Sequence, residues 1–116
     1  MPTLPDSHVL KKRRDFLKVA AFDRKWVTQG FVLQAAPGSS KGLGFTASKR
    51  VGHAVLRNRA KRRLRALARE VLVPHAKTGH HYVLIARASV LTCPYQDLRR
   101  DMLWALKRLS LLDGED

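Results

Sequence analysis

The side chains best suited to chemistry in this 116-residue chain are arginines and lysines concentrated between residues 49 and 70. The run reads KRVGHAVLRNRAKRRLRALARE, and no acidic residue occurs in it before Glu70. A guanidinium group donates two parallel hydrogen bonds to phosphate oxygens, and each neutralised phosphate releases bound counterions. The residue types of this run therefore indicate binding to a polyanion.

The aspartates and histidines of this chain do not show the spacing that catalytic or metal-binding residues need. Asp97 and Asp101 are spaced one helical turn apart, but two arginines lie between them, which favours surface ion pairs over a metal pair. The one pair of adjacent histidines, His80–His81, precedes a predicted strand and suits a structural role at its edge. We therefore predict neither a catalytic residue nor a metal site in this chain.

Composition limits the class of protein. The chain has 23 Lys and Arg against 9 Asp and Glu, a formal net charge of +14, and 45% hydrophobic residues, which suits one globular domain. Residues 1–8 and 110–116 are predicted to be its flexible ends. The single cysteine, Cys93, excludes an internal disulfide and favours a reducing, cytoplasmic setting. No apolar run approaches the roughly 20 residues of a membrane span.

The basic run is predicted to form one amphipathic helix over residues 54–72. Apolar residues recur there at steps of three and four and form a stripe that must face a core: Leu56, Ala60, Leu64, Leu67 and Val71. The opposite side is polar and cationic: Asn58, Lys61, Arg62, Arg65 and Arg69. Like charges at these spacings each cost a few tenths of a kcal/mol. A helix face of a single charge sign therefore favours a nucleic-acid partner over simple solvation.

Three other interpretations of the basic helix stay open at this point. A ribosomal or assembly protein would use the same helix on ribosomal RNA. A DNA-binding helix-turn-helix is less favoured, because a loop and a strand follow the helix and no helix precedes it at a short turn. Binding of the helix to a membrane surface is the least favoured interpretation, because the apolar stripe carries no Trp or Phe anchor.

A short helix is predicted near the start of the chain and another near its end. The first begins near residues 11–14, with Leu10, Leu17 and Ala21 on its inner side. Phe16 on that helix suits either core packing or stacking on a nucleobase. The last helix opens at Pro94, which suits a first turn, and its Trp104 lies either in the core or at its rim.

Four strands are predicted, over residues 25–28, 31–36, 43–48 and 81–86. The turn residues 37–42 predict that the second and third form an antiparallel hairpin. Residues 81–86 are apolar on both faces, which predicts an interior strand. The strand–helix–strand order predicts that it is parallel to the strand before the basic helix, or at least in the same sheet. In the third strand Leu43, Phe45 and Ala47 point to the core. The other face is small and polar, as for a surface that a ligand approaches closely: Gly44, Thr46 and Ser48.

Residues 48–65, SKRVGHAVLRNRAKRRLR, closely resemble the signature of the bacterial ribonuclease P protein component. In that family an R-N-R helix follows a segment of the type S-K-x-x-G-x-A-V. The resemblance extends to LKKRRDFLKV as the first helix, GFVLQ and HYVLIAR as strands, and residues 95–109 as the last helix. It covers roughly residues 10–109.

The resemblance implies an α+β fold: a small α/β sandwich with a sheet of about four strands packed on helices and a left-handed βαβ crossover. It implies a subunit of the endoribonuclease that forms the mature 5′ end of tRNA. The family's RNA subunit is the catalyst and binds the Mg²⁺ cofactor. The implied partners are the ribonuclease P RNA and the 5′ leader of precursor tRNA, with no membrane and no further protein required.

The resemblance also assigns residues. The RNA-binding set is Lys49, Arg50, Arg57, Asn58, Arg59, Lys61, Arg62 and Arg65, to which the exposed Arg69 is added. The leader would lie in a cleft between the basic helix and the open sheet face, lined by Phe16, Val32, Gln34, Thr46 and Ser48. Ala20 and Gln34 stand where some members of the family have aromatic residues, which predicts weaker stacking on leader bases. His53 stands where Asn is common.

Overall fold

Five strands form one mixed sheet whose spatial order differs from the order in the chain. The computed structural model describes residues 7–38 and 41–113. The strands are β1 (Ser7–Val9), β2 (Arg24–Val27), β3 (Phe31–Pro37), β4 (Lys41–Ala47) and β5 (His80–Ala86). They lie side by side in the order β1-β4-β5-β3-β2, so β5 occupies the centre and β2 an edge.

The helices are α1 (Arg13–Phe22), α2 (Ala54–Leu67), α3 (Val73–His75) and α4 (Tyr95–Arg108). A π-helical turn, Ala68–Leu72, joins α2 to α3, so the predicted helix over residues 54–72 is confirmed. Pro74 accounts for this wider turn, because proline lacks a backbone N–H and its ring crowds the carbonyl four residues earlier in a regular α-helix. A short 3₁₀ helix, Ala88–Leu91, leads into α4.

The predicted hairpin is wrong, because β5 lies between the two strands that were expected to pair. β3 pairs antiparallel with β5, and β4 pairs parallel with β5. A central strand that is apolar on both faces gains most when it has a neighbour on each side, and α2 provides a crossover long enough to bring it there. The predicted parallel relation between β4 and β5 is confirmed.

The two faces of the sheet are covered by different helices. On the first face, α2 and α4 pack against side chains of β3, β4 and β5 and bury Leu64, Leu67 and Leu98 completely. On the second face, α1 packs with Val19 over Val83 and beside Leu10. Most of the core therefore lies between the sheet and α2 with α4, while α1 covers only part of the opposite face.

The inner side of α1 differs from the prediction. Leu17 is 54% exposed and Ala21 is exposed, whereas Val19 is buried and Phe16 is half-buried. The reason is β1, a strand the sequence analysis did not find. It pairs with β4, and the backbone N–H of Leu10 donates to the carbonyl of Leu43 at 2.7 Å, which fixes the direction in which the chain enters α1.

Both ends of the described chain are held by backbone hydrogen bonds at positions where flexibility was predicted. Ser7–Val9 pairs with β4. Near the other end Leu111 is buried, and its carbonyl accepts a bond from the N–H of Lys77 at 2.9 Å. The N–H of Asp113 donates to the carbonyl of His75 at 2.7 Å. Residues 1–6 and 114–116, included in the same prediction, lie outside the described residues.

Replacing Tyr82 with phenylalanine is expected to lower the free energy of unfolding by about 1 kcal/mol. The side chain is fully buried and its hydroxyl donates to the carbonyl of Lys77 at 2.6 Å. Urea unfolding measures the change. The matched control is Tyr95→Phe, which removes a solvent-exposed hydrogen bond to Glu70 and should cost less than about 0.5 kcal/mol. Equal losses in both variants would contradict this assignment.

Candidate nucleic-acid interface

The exposed face of α2 forms a shallow cationic groove. Helical spacing brings together the side chains that line it, and the groove has a volume of about 470 Å³. Its lining residues are Val55, Asn58, Lys61, Arg62 and Arg65. Four of the predicted RNA-binding residues therefore share one surface. Arg59 and Arg69 are exposed on the same helical segment, and Arg57 is half-buried.

The cations of this groove have no acidic partner in the part of the chain that the structure describes. The ion pairs of the described residues are formed by Arg99 and Arg100 of α4, which pair with Glu70 and with Asp97 and Asp101, respectively. Arg65 is held in place by the ring of Phe45, whose centroid lies 5.7 Å from the guanidinium carbon. The groove thus presents several hydrogen-bond donors and a concentrated positive charge to an incoming anion.

Arg63 has a different role from its neighbours. Its guanidinium turns toward the protein, donates to the carbonyl of Cys93 at 2.9 Å and also to that of Val90, and lies 6.0 Å from the centroid of the Tyr95 ring. These bonds join α2 to the 3₁₀ helix and to the start of α4. Arg63 is therefore a structural residue, although its sequence context resembles that of Arg62.

A tight turn places two further predicted residues at the start of α2. The N–H of Val51 donates to the carbonyl of Ser48, and the N–H of Gly52 donates to that of Lys49, both at 3.1 Å. Gly52 has φ of 142°, a conformation that side chains disfavour. Lys49 and Arg50 are exposed on this turn, so they extend the cationic surface of α2 toward the end of β4.

The second sheet face has an open half. Strand register places Thr46, Ile85 and Val32 in one row across β4, β5 and β3, and Val27 of β2 continues this row to the sheet edge. The first three side chains are half-buried and Val27 is 54% exposed. We call these four residues the open row. In the next row Gln34 is also half-buried and lies beside Val83.

Phe16 of α1 marks the boundary between the covered and the open half. A Cβ atom at Gly44 would lie 2.6 Å from the Phe16 ring, so the ring packs directly on the backbone of β4. Phe16 is half-buried, so part of the residue stays accessible to solvent. Core packing is thus confirmed for one side of Phe16, while the exposed part remains available to a ligand.

The structure corrects the predicted position of the cleft. Phe16, Val32, Gln34 and Thr46 lie on the second face, and Ser48 lies on the turn after β4. α2 packs on the first face, because its apolar stripe is buried with Phe31, Leu33 and Leu43. The helix beside the open row is therefore α1 and not α2. The exposed turn from Ser48 to Arg50 follows β4 and connects the two surfaces along the chain.

Sequence reasoning missed a second group of cations. Five exposed basic residues lie just before α1 or on it: Lys11, Lys12, Arg13, Arg14 and Lys18. One acidic residue, Asp15, lies among them. Lys25 is exposed on β2 and pairs in register with Gln34, next to the open row. The uninterrupted KKRR run was the available signal. Its position beside the cleft depended on the packing of α1, which the sequence pattern did not predict correctly.

The acidic, histidine and cysteine side chains of the described residues do not cluster in threes, and the cysteine is buried. Among residues 7–38 and 41–113, no three His, Cys, Asp or Glu side chains cluster as a metal site would require. Cys93 is buried, and burial raises the pKa of its thiol, which makes it a poor nucleophile. Asp97 and Asp101 pair with Arg100 at 3.4 and 3.5 Å, so the predicted surface ion pairs are confirmed.

No helix in the described ranges has the length and apolar character needed to cross a bilayer. The fold and the surface together define a class: a small α+β protein with a cationic helix on one face of a mixed sheet and a partly open opposite face.

Comparison with known proteins places the chain within that class. The family model described as Ribonuclease P matches residues 4–110. The ribonuclease P protein component of Paramagnetospirillum magneticum is 51% identical over 110 residues, covering 89% of this chain and 83% of the relative. That of Ruegeria pomeroyi is 47% identical over 107 residues, covering 87% and 85%. The solved ribonuclease P protein from Thermotoga maritima superposes with a TM-score of 0.73 at 25% identity, covering 87% of this chain and 96% of the other.

The chain therefore belongs to the ribonuclease P protein family. It is a subunit of a ribonucleoprotein endoribonuclease that processes tRNA.

Proposed function

We propose that α2 binds the ribonuclease P RNA while the open half of the second sheet face holds the 5′ leader of precursor tRNA during 5′ maturation. The observation that carries the first part is the groove on α2, whose arginines have no carboxylate partner among the described residues. Folded RNA supplies closely spaced phosphates that match such a surface, and Arg forks bind them bidentately. Lys49 and Arg50 extend this contact at the start of α2.

The open row suits a single strand. Its side chains are small or apolar, and the half-buried Phe16 lies beside it. Lys25 of β2 is in register with the neighbouring row, and α1 carries further exposed cations. Unpaired bases stack on apolar and aromatic surfaces while their phosphates contact Lys and Arg at the rim. The proposed leader contacts are Phe16, Val32, Gln34, Thr46 and Ser48, with Ile85 and Lys25 added by the structure.

The Mg²⁺ expected for the reaction does not fit this protein surface. Mg²⁺ prefers oxygen ligands from carboxylates or phosphates, and the described residues contain no such cluster near α2 or the open row. We propose that RNA phosphates hold the ion. The protein reduces the repulsion between two RNA molecules and positions the substrate, acts in the cytoplasm, and needs no further protein partner.

Reconstituted cleavage tests this proposal. The purified protein alone is expected not to cut precursor tRNA, whereas adding it to the cognate RNA at low Mg²⁺ should restore cleavage at the mature 5′ end. Failure of the protein to stimulate the RNA would contradict the proposal. Recovery of the protein with ribosomal subunits instead of one small RNA would point to ribosomal RNA as the partner.

Replacing Phe16 with alanine is expected to weaken binding of precursor tRNA to the holoenzyme by about fivefold or more, since stacking on one base contributes about 1–3 kcal/mol. Binding of mature tRNA, which has no leader, should not change. The matched control is Phe22→Ala on the same helix, because Phe22 is 52% exposed and lies outside both core clusters. Equal losses for precursor and mature tRNA would contradict the assignment of Phe16 to the leader.

A further inference from the structure

Both tryptophans of the chain lie at one surface pocket between β2 and α4. This tryptophan pocket has a volume of about 370 Å³ and is lined by Trp26, Val27, Thr28, Gln29, Arg100, Asp101 and Trp104. Trp104 is 52% exposed, and Trp26 is half-buried against the core. An exposed indole provides a flat surface on which any nucleobase can stack.

Arg108 provides a fixed cation beside the two indoles. Its guanidinium carbon lies 5.4 Å from the centroid of the Trp26 ring and 5.8 Å from that of Trp104. Within the described residues the guanidinium of Arg108 forms no hydrogen bond or ion pair. The rings thus hold the guanidinium in place by cation–π contact while its N–H donors remain available.

The charge of the pocket favours an anionic ligand. Asp101 is its one acidic lining residue, and Arg100 pairs with it at 3.5 Å. Arg108 and the exposed Lys107 add positive charge on the same helix end. A nucleotide matches both parts of the site, because its base stacks on indole and its phosphate accepts hydrogen bonds from Arg108.

The tryptophan pocket begins at the edge strand β2, where the open row ends. Val27 is the outermost residue of that row and also lines the pocket. From β4 to β2 the open row crosses three inter-strand spacings of about 4.8 Å each, or about 14 Å. An RNA strand that lies across this row and turns around the edge of β2 reaches the pocket, where Trp104 of α4 lies on the side of the first face.

We propose that the tryptophan pocket binds a leader nucleotide that lies beyond those held on the open row, with the base on Trp104 and a phosphate on Arg108. This inference rests on the proposed binding of the leader to the open row. It adds a second contact that only longer leaders reach.

The test uses the reconstituted holoenzyme and precursor tRNAs whose leaders are extended one nucleotide at a time. The affinity of the unmodified holoenzyme should rise once more when the leader becomes long enough to reach the pocket. Trp104→Ala should remove this last gain, a loss of about fivefold or more, and leave affinity for shorter leaders unchanged. Trp104→Phe should retain most of it because the stacking surface is kept. The control is Leu103→Ala, an exposed neighbour on α4 outside the pocket.

Intrinsic fluorescence gives an independent readout, because the chain has only 2 tryptophans and both lie at this pocket. Long leaders should quench the emission and short leaders should not. Unchanged emission together with an unchanged length dependence in Trp104→Ala would overturn the inference. Loss of self-association in that variant, with leader binding intact, would also overturn it and assign the pocket to contacts between copies.

The Phe16→Ala variant separates this inference from the proposed function. It should weaken binding at all leader lengths, whereas Trp104→Ala acts only on long leaders. One possible outcome is that Phe16→Ala leaves affinity unchanged at every leader length while Trp104→Ala loses affinity for long leaders only. That outcome would reject the open row as the leader site and keep the pocket. If Phe16→Ala weakens binding at all leader lengths and Trp104→Ala has no effect at any length, the pocket alone is rejected.

Discussion

Replacing Arg59 and Arg62 together with alanine is expected to weaken binding to the ribonuclease P RNA by about 100-fold or more at low salt. Each side chain is exposed on α2 and has no carboxylate partner among the described residues, so each is free to bind a phosphate. A hydrogen-bonded charge contact contributes about 1.5–3 kcal/mol, and the two losses are only roughly additive. The free energy of unfolding should stay within about 0.5 kcal/mol of the unmodified value.

Salt titration of RNA binding measures this effect. The magnitude of the slope of log affinity against log salt should decrease by about 1.4 to 1.8, since each of the two lost phosphate contacts removes about 0.7–0.9 from it. The control is Arg99→Ala with Lys107→Ala, two exposed cations on α4 whose removal gives the same net charge. If that control lowered affinity and slope equally, the contact would depend on net charge and not on the α2 surface.

Replacing Arg63 with alanine is expected to lower the free energy of unfolding by about 2–4 kcal/mol. The variant loses two charge-assisted hydrogen bonds to the carbonyls of Val90 and Cys93, and it leaves those acceptors without the donor that joins α2 to α4. The contact with the Tyr95 ring is lost as well. Urea unfolding, followed by circular dichroism, measures the change.

The adjacent residue is the matched control. Arg62→Ala removes the same side chain from an exposed position and should change the free energy of unfolding by less than about 0.5 kcal/mol, while it weakens RNA binding. Arg63→Ala should show the reverse: a large loss of stability, with RNA affinity retained when it is measured well below the unfolding transition. Similar stability losses in the two variants would show that the inward bonds of Arg63 contribute little.

Local patterns in the sequence determined the chemistry of the α2 surface. Periodicity of three and four places apolar and cationic residues on opposite sides of any helix, whatever the helix packs against. The buried stripe from Ala60 to Val71 and the exposed Asn58, Arg62 and Arg65 follow from that rule. The parallel relation of β4 and β5 was also predictable, because a helical crossover between neighbouring strands requires it.

Strand order was decided by packing between distant segments. The segment after β3 carries no local signal that β5 will pair with β3. That pairing depends on burying both faces of β5, which involves distant parts of the chain. The same packing puts α2 and the open row on opposite faces, and it places α1 beside the row. The cleft residues were therefore predictable as one sheet face, but the helix beside them was not.

Two further features exist only in the folded chain. Arg62 and Arg63 are adjacent and chemically identical, yet one faces solvent and the other bonds to carbonyls of a later segment. Trp26 and Trp104 come from opposite ends of the chain and meet around Arg108. Which residues carry charge, and which side of a helix they occupy, could be predicted from the sequence, because those properties depend on near neighbours. Tertiary structure decided which of them meet, because such contacts depend on how distant segments share one core.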